Sequence, residues 1–168
     1  LTRWYRDNLF FDALELEKAG GPDAYETMMK GLEDIPVGSD GLITLPYIAG
    51  ERTPINDPKA KGMIFGLSMQ HTRAHIYHSA LESIGYSIAN HLAIFRENGA
   101  APKRIFAAGG GTKNPIWMQI IADITGEEIH TANVTIGAAY GDALMAAIAT
   151  GHISKFADIR NYITEGVS

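Results

Sequence analysis

Apolar side chains recur along this chain at two spacings, and the spacing changes from one segment to the next. Between residues 69 and 98 they return every three or four positions, as at Tyr77, Leu81 and Ile84, which places them on one face of a helix. Short continuous apolar runs, such as 103–108, are typical of buried strands. The predicted elements are helices at 4–18, 22–32, 69–98, 115–126 and 137–150, strands at 42–48, 103–108 and 127–132, and an irregular helix after residue 152.

The order of these elements indicates the fold class. From residue 69 onward helices and strands alternate, which predicts an α/β domain with parallel pairing of strands 103–108 and 127–132. Only two strands are clear in this half, and two strands make a poor sheet. The chain also starts at Leu1 without a start methionine or a signal peptide. We therefore expect the first strands of the domain to lie before Leu1.

Composition limits which kinds of partner and which cellular compartment the sequence favours. A length of 168 residues predicts one domain, and 46% hydrophobic with 20% charged residues is ordinary for a globular protein. The formal net charge of −5 argues against nucleic acid as a partner. No apolar run approaches the roughly 18 residues of a membrane span. The absence of cysteine removes disulfides and thiolate metal sites, which fits a cytoplasmic protein.

Three consecutive glycines, Gly109–Gly111, follow the predicted strand at 103–108. Asn114 is then a strong N-cap, with Pro115 at the first helical position. Ligands of parallel α/β sheets bind beyond the carboxyl ends of strands, where helix N-termini attract phosphate and glycine lets a ligand touch the main chain. Residues 109–114 are thus a candidate nucleotide or phosphate site. The alternative is a tight turn that only needs positive φ, since neither G-x-G-x-x-G nor a P-loop is present.

Two further clusters carry chemistry. His71, His75, His78 and Glu82 share one face of the long predicted helix, a spacing that can hold zinc. We favour a polar, partly buried helix face without metal.

Glu51 and Arg52 lie in the long polar connection at 49–62, where they either border a ligand cleft or form an ion pair that fixes the loop. We favour the ion pair. Lys113 either touches a phosphate or is a solvated residue at the start of the next helix, and we favour the second interpretation.

Five segments resemble the C-terminal domain of the FGGY carbohydrate kinases, most closely the xylulokinase-like branch. The strongest, "GMIFGLSMQHTRAHIYHSALE" at 62–82, matches the family's second signature at each specified position. Segments 3–7, 45–58, 107–126 and 137–147 resemble other conserved parts of that domain. The specified positions of the signature are Gly62, Ile64, Gly66, Leu67, His75, Ile76, Ser79, Ala80, Leu81 and Glu82.

The resemblance implies an actin-like ATPase fold of the ribonuclease H type. Residues 1–168 are then part of the C-terminal, nucleotide-side domain of a two-domain kinase whose N-terminal, sugar-binding domain lies outside this chain. Gly110 and Gly111 are expected to lie against the nucleotide, Asn114 at the adenine or ribose, and Arg3 beside the base. The implied nucleotide-binding residues are Gly109, Gly110, Gly111, Thr112, Asn114 and Arg3.

The implied activity is transfer of a phosphoryl group from ATP, with Mg²⁺, to a sugar hydroxyl, most closely that of a pentulose such as D-xylulose. No segment matches the context of the family's catalytic Asp, so no catalytic residue and no metal ligand is assigned here, and Asp7, Asp57 and Asp142 stay unassigned. The isolated chain is expected to be inactive. Its exposed interdomain face favours self-association, so a homodimer is a candidate assembly.

Alternatives remain for the function. Within the family, ribulose, gluconate, glycerol and other polyols are also substrates. Outside it, the chain could be a non-catalytic actin-like module that uses nucleotide as a switch, or an α/β domain whose glycines only form a turn.

Overall fold

A computed structural model of the chain describes residues 1–132, 137–162 and 165–167. Strands and helices alternate in its second half, as the sequence predicts, whereas helices dominate its first third. The α-helices are α1 (Thr2–Leu9), α2 (Phe11–Lys18), α3 (Ala24–Met29), α4 (Arg73–Glu97), α5 (Pro115–Thr125) and α6 (Gly137–Ala149). The strands are β1 (Ile43–Leu45), β2 (Met63–Phe65), β3 (Ile105–Ala107), β4 (Ile129–Ala132) and β5 (Glu165–Val167). Short 3-10 turns cover Ser39–Gly41, Gly110–Lys113 and Phe156–Tyr162.

The N-terminal helical segment is broken at Phe10. The prediction of one helix over 4–18 is wrong in this respect, because Phe10 leaves the helical region (φ −124°, ψ 35°) between α1 and α2. Its ring is 4% exposed and lies 5.6 Å from the ring of Tyr77, measured between centroids. Burying this side chain against α4 requires the turn between α1 and α2, which a local helical pattern does not reveal.

Helix α4 is the centre of the core. Tyr77 and Leu81, from its predicted apolar stripe, are 2% and 0% exposed and pack with side chains of α1, α2 and α3. The stripe fades toward the C-terminal end, where Phe95 is 49% exposed. Helix α4 starts at Arg73, four residues later than predicted, since Thr72 caps it and His75 Nδ1 accepts a hydrogen bond from the Thr72 N–H at 3.2 Å.

A glycine brings α5 against α4. A Cβ atom at Gly85 would lie 2.7 Å from Ile124 Cδ1, so a larger residue at this position would displace the Ile124 side chain. Helix α5 then places Ile120 in the α4 core and Ile121 in a second cluster with Ile129 of β4. Its predicted ends are confirmed: Asn114 caps it, and Gly126 follows it with φ 67°.

The strands form two separate sheets. Strands β3 and β4 pair in parallel, as predicted, and β5 adds to β4 in antiparallel orientation, which the sequence did not predict. Strands β1 and β2 form an antiparallel ribbon, of which only β1 was predicted. The prediction that 103–108 is buried is wrong, because Phe106 is 39% exposed and its ring stacks on His130 of β4.

Helix length and hydropathy bear on membrane association. Within the residues that the structure describes, none of the helices combines the length and apolar character that crossing a bilayer requires.

Candidate functional site

An open cavity of about 520 Å³ lies between the segment at residues 109–114, called the glycine loop below, and the N-terminal helices. On the side of the glycine loop and α5 it is lined by Gly110, Gly111, Lys113, Asn114 and Trp117. The remaining lining residues come from α1, α3, the residue before α3, and α4: Thr2, Asp23, Tyr25, Glu26, Met29 and Tyr77.

The structure therefore brings together three of the six predicted site residues. Gly110, Gly111 and Asn114 line the cavity, whereas Gly109 and Thr112 do not. The Thr112 hydroxyl donates to the Gly109 carbonyl oxygen at 2.7 Å, so it closes the loop on itself. Arg3 is exposed and is not a lining residue, although its neighbour Thr2 is.

The three glycines stand in three different environments. Gly109 has φ 100°, a conformation that side-chain-bearing residues rarely adopt. A Cβ atom at Gly111 would lie 2.7 Å from Cζ3 of Trp117, so that ring leaves no room for one. A Cβ atom at Gly110 would meet no atom within 4 Å, and Gly110 lines the cavity. The turn interpretation thus accounts for Gly109 alone, and Gly110 faces open space at the cavity.

The amide oxygen of Asn114 caps α5, whereas its amide nitrogen is not used in the cap. Its Oδ1 accepts the Trp117 N–H at 2.9 Å, which confirms the predicted N-cap. The side chain is buried, with 8% exposure, and lines the cavity. Its Nδ2 makes no hydrogen bond to any described residue. An amide nitrogen is a donor only, so a ligand in the cavity can supply the acceptor.

Backbone donors accompany the free amide. The first residues of the 3-10 turn at Gly110–Lys113 have no intrahelical acceptor for their N–H groups. Lys113 is exposed, as expected for a solvated side chain, and it also lines the cavity. Both interpretations of Lys113 are therefore compatible with its position. These groups suit an anionic or acceptor-rich ligand.

The other lining side chains were missed by sequence reasoning. Tyr25, Met29, Tyr77 and Trp117 give the cavity aromatic and thioether surfaces, which suit a planar ring. Asp23 caps α3 by accepting the Tyr25 N–H at 2.8 Å. This cap is a readable signal for the helix, but nothing local indicates that α3 packs beside the glycine loop.

The face of α4 that carries His75, His78 and Glu82 contacts a left-handed turn at residues 38–41. Residues 38–41 have φ values of 82°, 47°, 54° and 86°, although two of them, Ser39 and Asp40, are not glycine. Glu82 accepts the Gly38 N–H and the Ser39 hydroxyl, both at 2.7 Å. His75 Nε2 lies 3.1 Å from Asp40 Oδ2. Such a strained segment persists because these contacts determine it.

The proton positions in this turn follow from its hydrogen bonds. Because the Ser39 hydroxyl donates to Glu82, it must accept from His78 Nδ1 at 2.9 Å, which assigns the proton of His78 to Nδ1. Burial raises the pKa of Glu82, but His78 at 3.6 Å and the hydrogen bonds from the Ser39 hydroxyl and the Gly38 N–H outweigh it and leave that pKa below its ordinary value. The favoured polar, partly buried helix face agrees with these contacts.

The long connection at 49–62 is fixed by Glu51, but not through Arg52. The Glu51 carboxylate accepts three backbone N–H groups, from Thr53 at 2.7 Å, Ile55 at 2.8 Å and Asn56 at 3.1 Å. The favoured ion pair is therefore wrong, since Arg52 is exposed and pairs with no carboxylate in the described part of the chain.

The three unassigned aspartates lie away from the cavity. Asp7 pairs with Arg6 at 2.7 Å, Asp57 accepts the Lys59 N–H at 2.8 Å, and Asp142 is exposed on α6. None of them lines the cavity. The geometry thus gives no reason to assign a catalytic base among them.

Comparisons with known proteins show which proteins this chain resembles. The chain is 35% identical over 129 residues to a xylulose kinase of Bacillus subtilis, covering 77% of this chain and 26% of that protein. It is 34% identical over 157 residues to a gluconokinase of Bacillus licheniformis, covering 93% and 31%. The crystal structure of xylulose kinase from Rhodospirillum rubrum superposes with a TM-score of 0.72 at 34% identity, over 94% of this chain and 32% of that one.

These figures also show the scale of the match, because the chain spans less than a third of the length of the two curated relatives. The family model that fits the chain describes the C-terminal domain of FGGY carbohydrate kinases and matches residues 1–150. The α/β architecture and the parallel β3–β4 pair accord with that domain. The chain therefore belongs to the FGGY family of carbohydrate kinases.

Proposed function

We propose that this chain forms the nucleotide-side part of an ATP-dependent sugar kinase, with a pentulose such as D-xylulose as the phosphoryl acceptor. The observation that carries the proposal is the cavity beside the glycine loop. Gly110 leaves it open, while Asn114 Nδ2 and the backbone N–H groups of the loop offer unused donors. In this assignment Arg3, Gly109 and Thr112 support the nucleotide site from outside the cavity.

The residues fit ATP better than they fit a bound metal. The cavity provides flat apolar walls for a base, and Lys113 and the N–H groups provide positive partners for oxygen atoms. Its two carboxylates are Asp23, which caps α3, and Glu26, which is exposed. We assign no Mg²⁺ ligand to this chain. When bound, Mg²⁺ neutralises phosphate charge, and it is expected to arrive with the phosphates.

The chain's own part in the reaction is to bind and orient the nucleotide. In-line phosphoryl transfer depends on positioning and charge neutralisation, and on exclusion of water from the closed site. The general base is proposed to lie outside residues 1–168, early in the same C-terminal domain, and most sugar contacts are proposed to come from the N-terminal, sugar-binding domain. Residues 1–168 alone are then expected to show no sugar-dependent turnover and to bind ADP with a Kd on the order of millimolar.

The acceptor is the least constrained part of the proposal. The similar proteins include xylulose kinases and a gluconokinase, so the panel that tests it contains D-xylulose, ribulose, gluconate and glycerol. The full-length protein is assayed for sugar-dependent ADP release. Highest kcat/KM with D-xylulose supports the proposal, and highest kcat/KM with another sugar replaces the substrate. Nucleotide binding without any sugar-dependent turnover would favour the non-catalytic module.

The site is tested with a glycine pair. Gly110→Val fills the open side of the cavity and is expected to raise the KM for ATP more than tenfold, because a branched side chain occupies the ligand's place. Gly141→Val is the matched control, since a Cβ atom at Gly141 would also meet no atom within 4 Å, but Gly141 lies on α6, away from the cavity. An unchanged KM in a well-folded Gly110→Val protein would remove the glycine loop from the site.

A further inference from the structure

Tyr77 presents a buried aromatic ring at the cavity. It lies on α4, is 2% exposed and is one of the lining residues. The rings of Tyr5 and Phe10 hold it in place, at centroid distances of 5.9 and 5.6 Å. The signature over residues 62–82 specifies the positions before and after it, His75, Ile76 and Ser79, but not position 77. Its identity is thus a property of this chain and not of the motif.

The hydroxyl group of Tyr77 makes no hydrogen bond to residues 1–132, 137–162 and 165–167, and its oxygen is not among the fully enclosed polar atoms of those residues that lack a partner. Because Tyr77 lines the cavity, we take its hydroxyl to be open to it. Burial raises the pKa of Tyr77 to about 12, so the group is a neutral phenol at physiological pH and can both donate and accept. A hydroxyl group that opens to a cavity is bonded by water, or by a ligand that replaces the water. The cavity is where a partner can enter.

The surroundings of Tyr77 select the kind of partner. Tyr25, Met29 and Trp117 share the cavity with it and form apolar, mostly flat walls. Phosphates need the charge and N–H groups that are found at the glycine loop, and ribose hydroxyls are usually partly solvated. A heterocyclic base is flat, is favoured by aromatic walls and carries polar atoms at its edge.

We propose that the Tyr77 hydroxyl hydrogen-bonds to the base of the bound nucleotide, which makes Tyr77 a specificity-determining residue. This inference rests on the proposed function, since it requires that the cavity binds a nucleoside phosphate. The ring of Tyr77 stays packed in the core, and only its hydroxyl reads the ligand. Removal of the hydroxyl therefore separates binding from folding.

Tyr5 is a natural control for Tyr77. It is buried to the same degree, with 1% exposure, and its ring contacts that of Tyr77. It lines a different cavity of about 430 Å³, together with Trp4, Thr44 and Lys61. Burial raises the pKa of Tyr5, an effect that the Thr44 side chain opposes, so the Tyr5 hydroxyl lies near Thr44 and not in the cavity beside the glycine loop.

The experiment compares Tyr77→Phe with Tyr5→Phe in the full-length protein. ADP binding is measured by calorimetry, and Tm is measured without ligand. We expect Tyr77→Phe to weaken ADP binding about three- to tenfold at unchanged or slightly higher Tm, because it removes an unpaired hydroxyl and keeps the ring. Tyr5→Phe should leave the Kd for ADP unchanged, because it removes an equally buried hydroxyl that lines the other cavity.

Ligand analogues locate the contact. The loss caused by Tyr77→Phe should persist with 2′-deoxy-ADP and with 3′-deoxy-ADP, because neither change affects the base. A loss that disappears with one of them would place the contact on the ribose and overturn the assignment to the base. An unchanged Kd for ADP in Tyr77→Phe would overturn the inference while leaving the proposed function intact. Failure of the wild-type protein to bind ADP would overturn both.

Discussion

Two glycine-containing turns of this molecule look alike in sequence and differ in what their polar groups do. The left-handed turn at 38–41 has its Gly38 N–H, Ser39 hydroxyl and Asp40 carboxylate bound by side chains of α4. The glycine loop at 109–114 leaves its first N–H groups and the Asn114 amide nitrogen without partners at the edge of a cavity.

The difference separates a turn that holds a structure from one that is open to a ligand. Glycine content does not distinguish them, since both use glycine at positive φ, at Gly38 and Gly109. The distinguishing property is whether the donors and acceptors of the turn are already used within the protein. Substitutions in the turn at 38–41 should therefore change stability and leave nucleotide affinity unchanged. A substitution at Gly110 in the glycine loop should change nucleotide affinity and leave stability unchanged.

The largest expected effect is at Glu82. Glu82→Ala leaves the Gly38 N–H and the Ser39 hydroxyl without their charged acceptor, and should lower the free energy of unfolding by about 3–5 kcal/mol. Urea unfolding of the full-length protein measures it, with Glu97→Ala at the exposed end of α4 as the control, where less than about 0.5 kcal/mol is expected. A loss below about 1 kcal/mol at Glu82, or a large change in the Kd for ADP, would break the comparison.

The next largest effects on stability are expected from alanine substitutions at the three glycines. Gly109→Ala and Gly111→Ala should each cost about 1–3 kcal/mol, the first through positive φ and the second through contact with the Trp117 ring. Gly110→Ala should change stability by less than about 0.5 kcal/mol, because its Cβ meets no atom. Thermal unfolding of the three variants checks the order. Equal losses at all three positions would mean that the loop is purely structural.

Asn114 tests both roles at one residue, because its side chain caps α5 and also lines the cavity. Asn114→Ala removes the cap of α5 and should cost about 1 kcal/mol, while Asn114→Asp keeps a capping oxygen and restores most of that loss. Neither variant retains the Nδ2 donor, so both should bind ADP more weakly. Unfolding and calorimetric titration of the pair separate the two roles. Recovery of affinity together with stability in Asn114→Asp would reduce Asn114 to a cap.

The smallest effect concerns pH. The pKa of Glu82 is lower in the folded protein than in the unfolded chain, so its ionised form contributes stability above the unfolded value of about 4.3, and this contribution is lost as pH falls through the folded pKa. Unfolding free energies of the wild type and Glu82→Gln should therefore converge on acidification. Parallel pH profiles would show that the charge of Glu82 does not stabilise the left-handed turn.

The ends of α5 could be predicted because their chemistry is local. Asn114, Pro115 and Gly126 each act within one turn of the helix, and the structure places all three as the pattern indicates. The break at Phe10 and the exposure of Phe106 could not be predicted, because they depend on contacts with Tyr77 and His130, which are distant in sequence.

The same distinction divides the candidate site. The glycine loop was found because its order of strand, glycines and cap is a continuous pattern. The contribution of α3 and Tyr77 was missed, because it exists only after α1, α2 and α3 pack on α4. His75, His78 and Glu82 shared a readable face, yet their partners in the turn at 38–41 were invisible without the fold.

The contact between Gly111 and Trp117 also gives the molecule an optical reporter. The chain has two tryptophans, Trp4 and Trp117, and each lines a different cavity. Indole emission responds to the polarity and contacts of its surroundings. Within residues 1–168, Trp4→Phe leaves the indole at the glycine loop, and Trp117→Phe leaves the indole at the other cavity. Occupancy of either cavity then becomes a change in fluorescence that can be followed in real time, without a label.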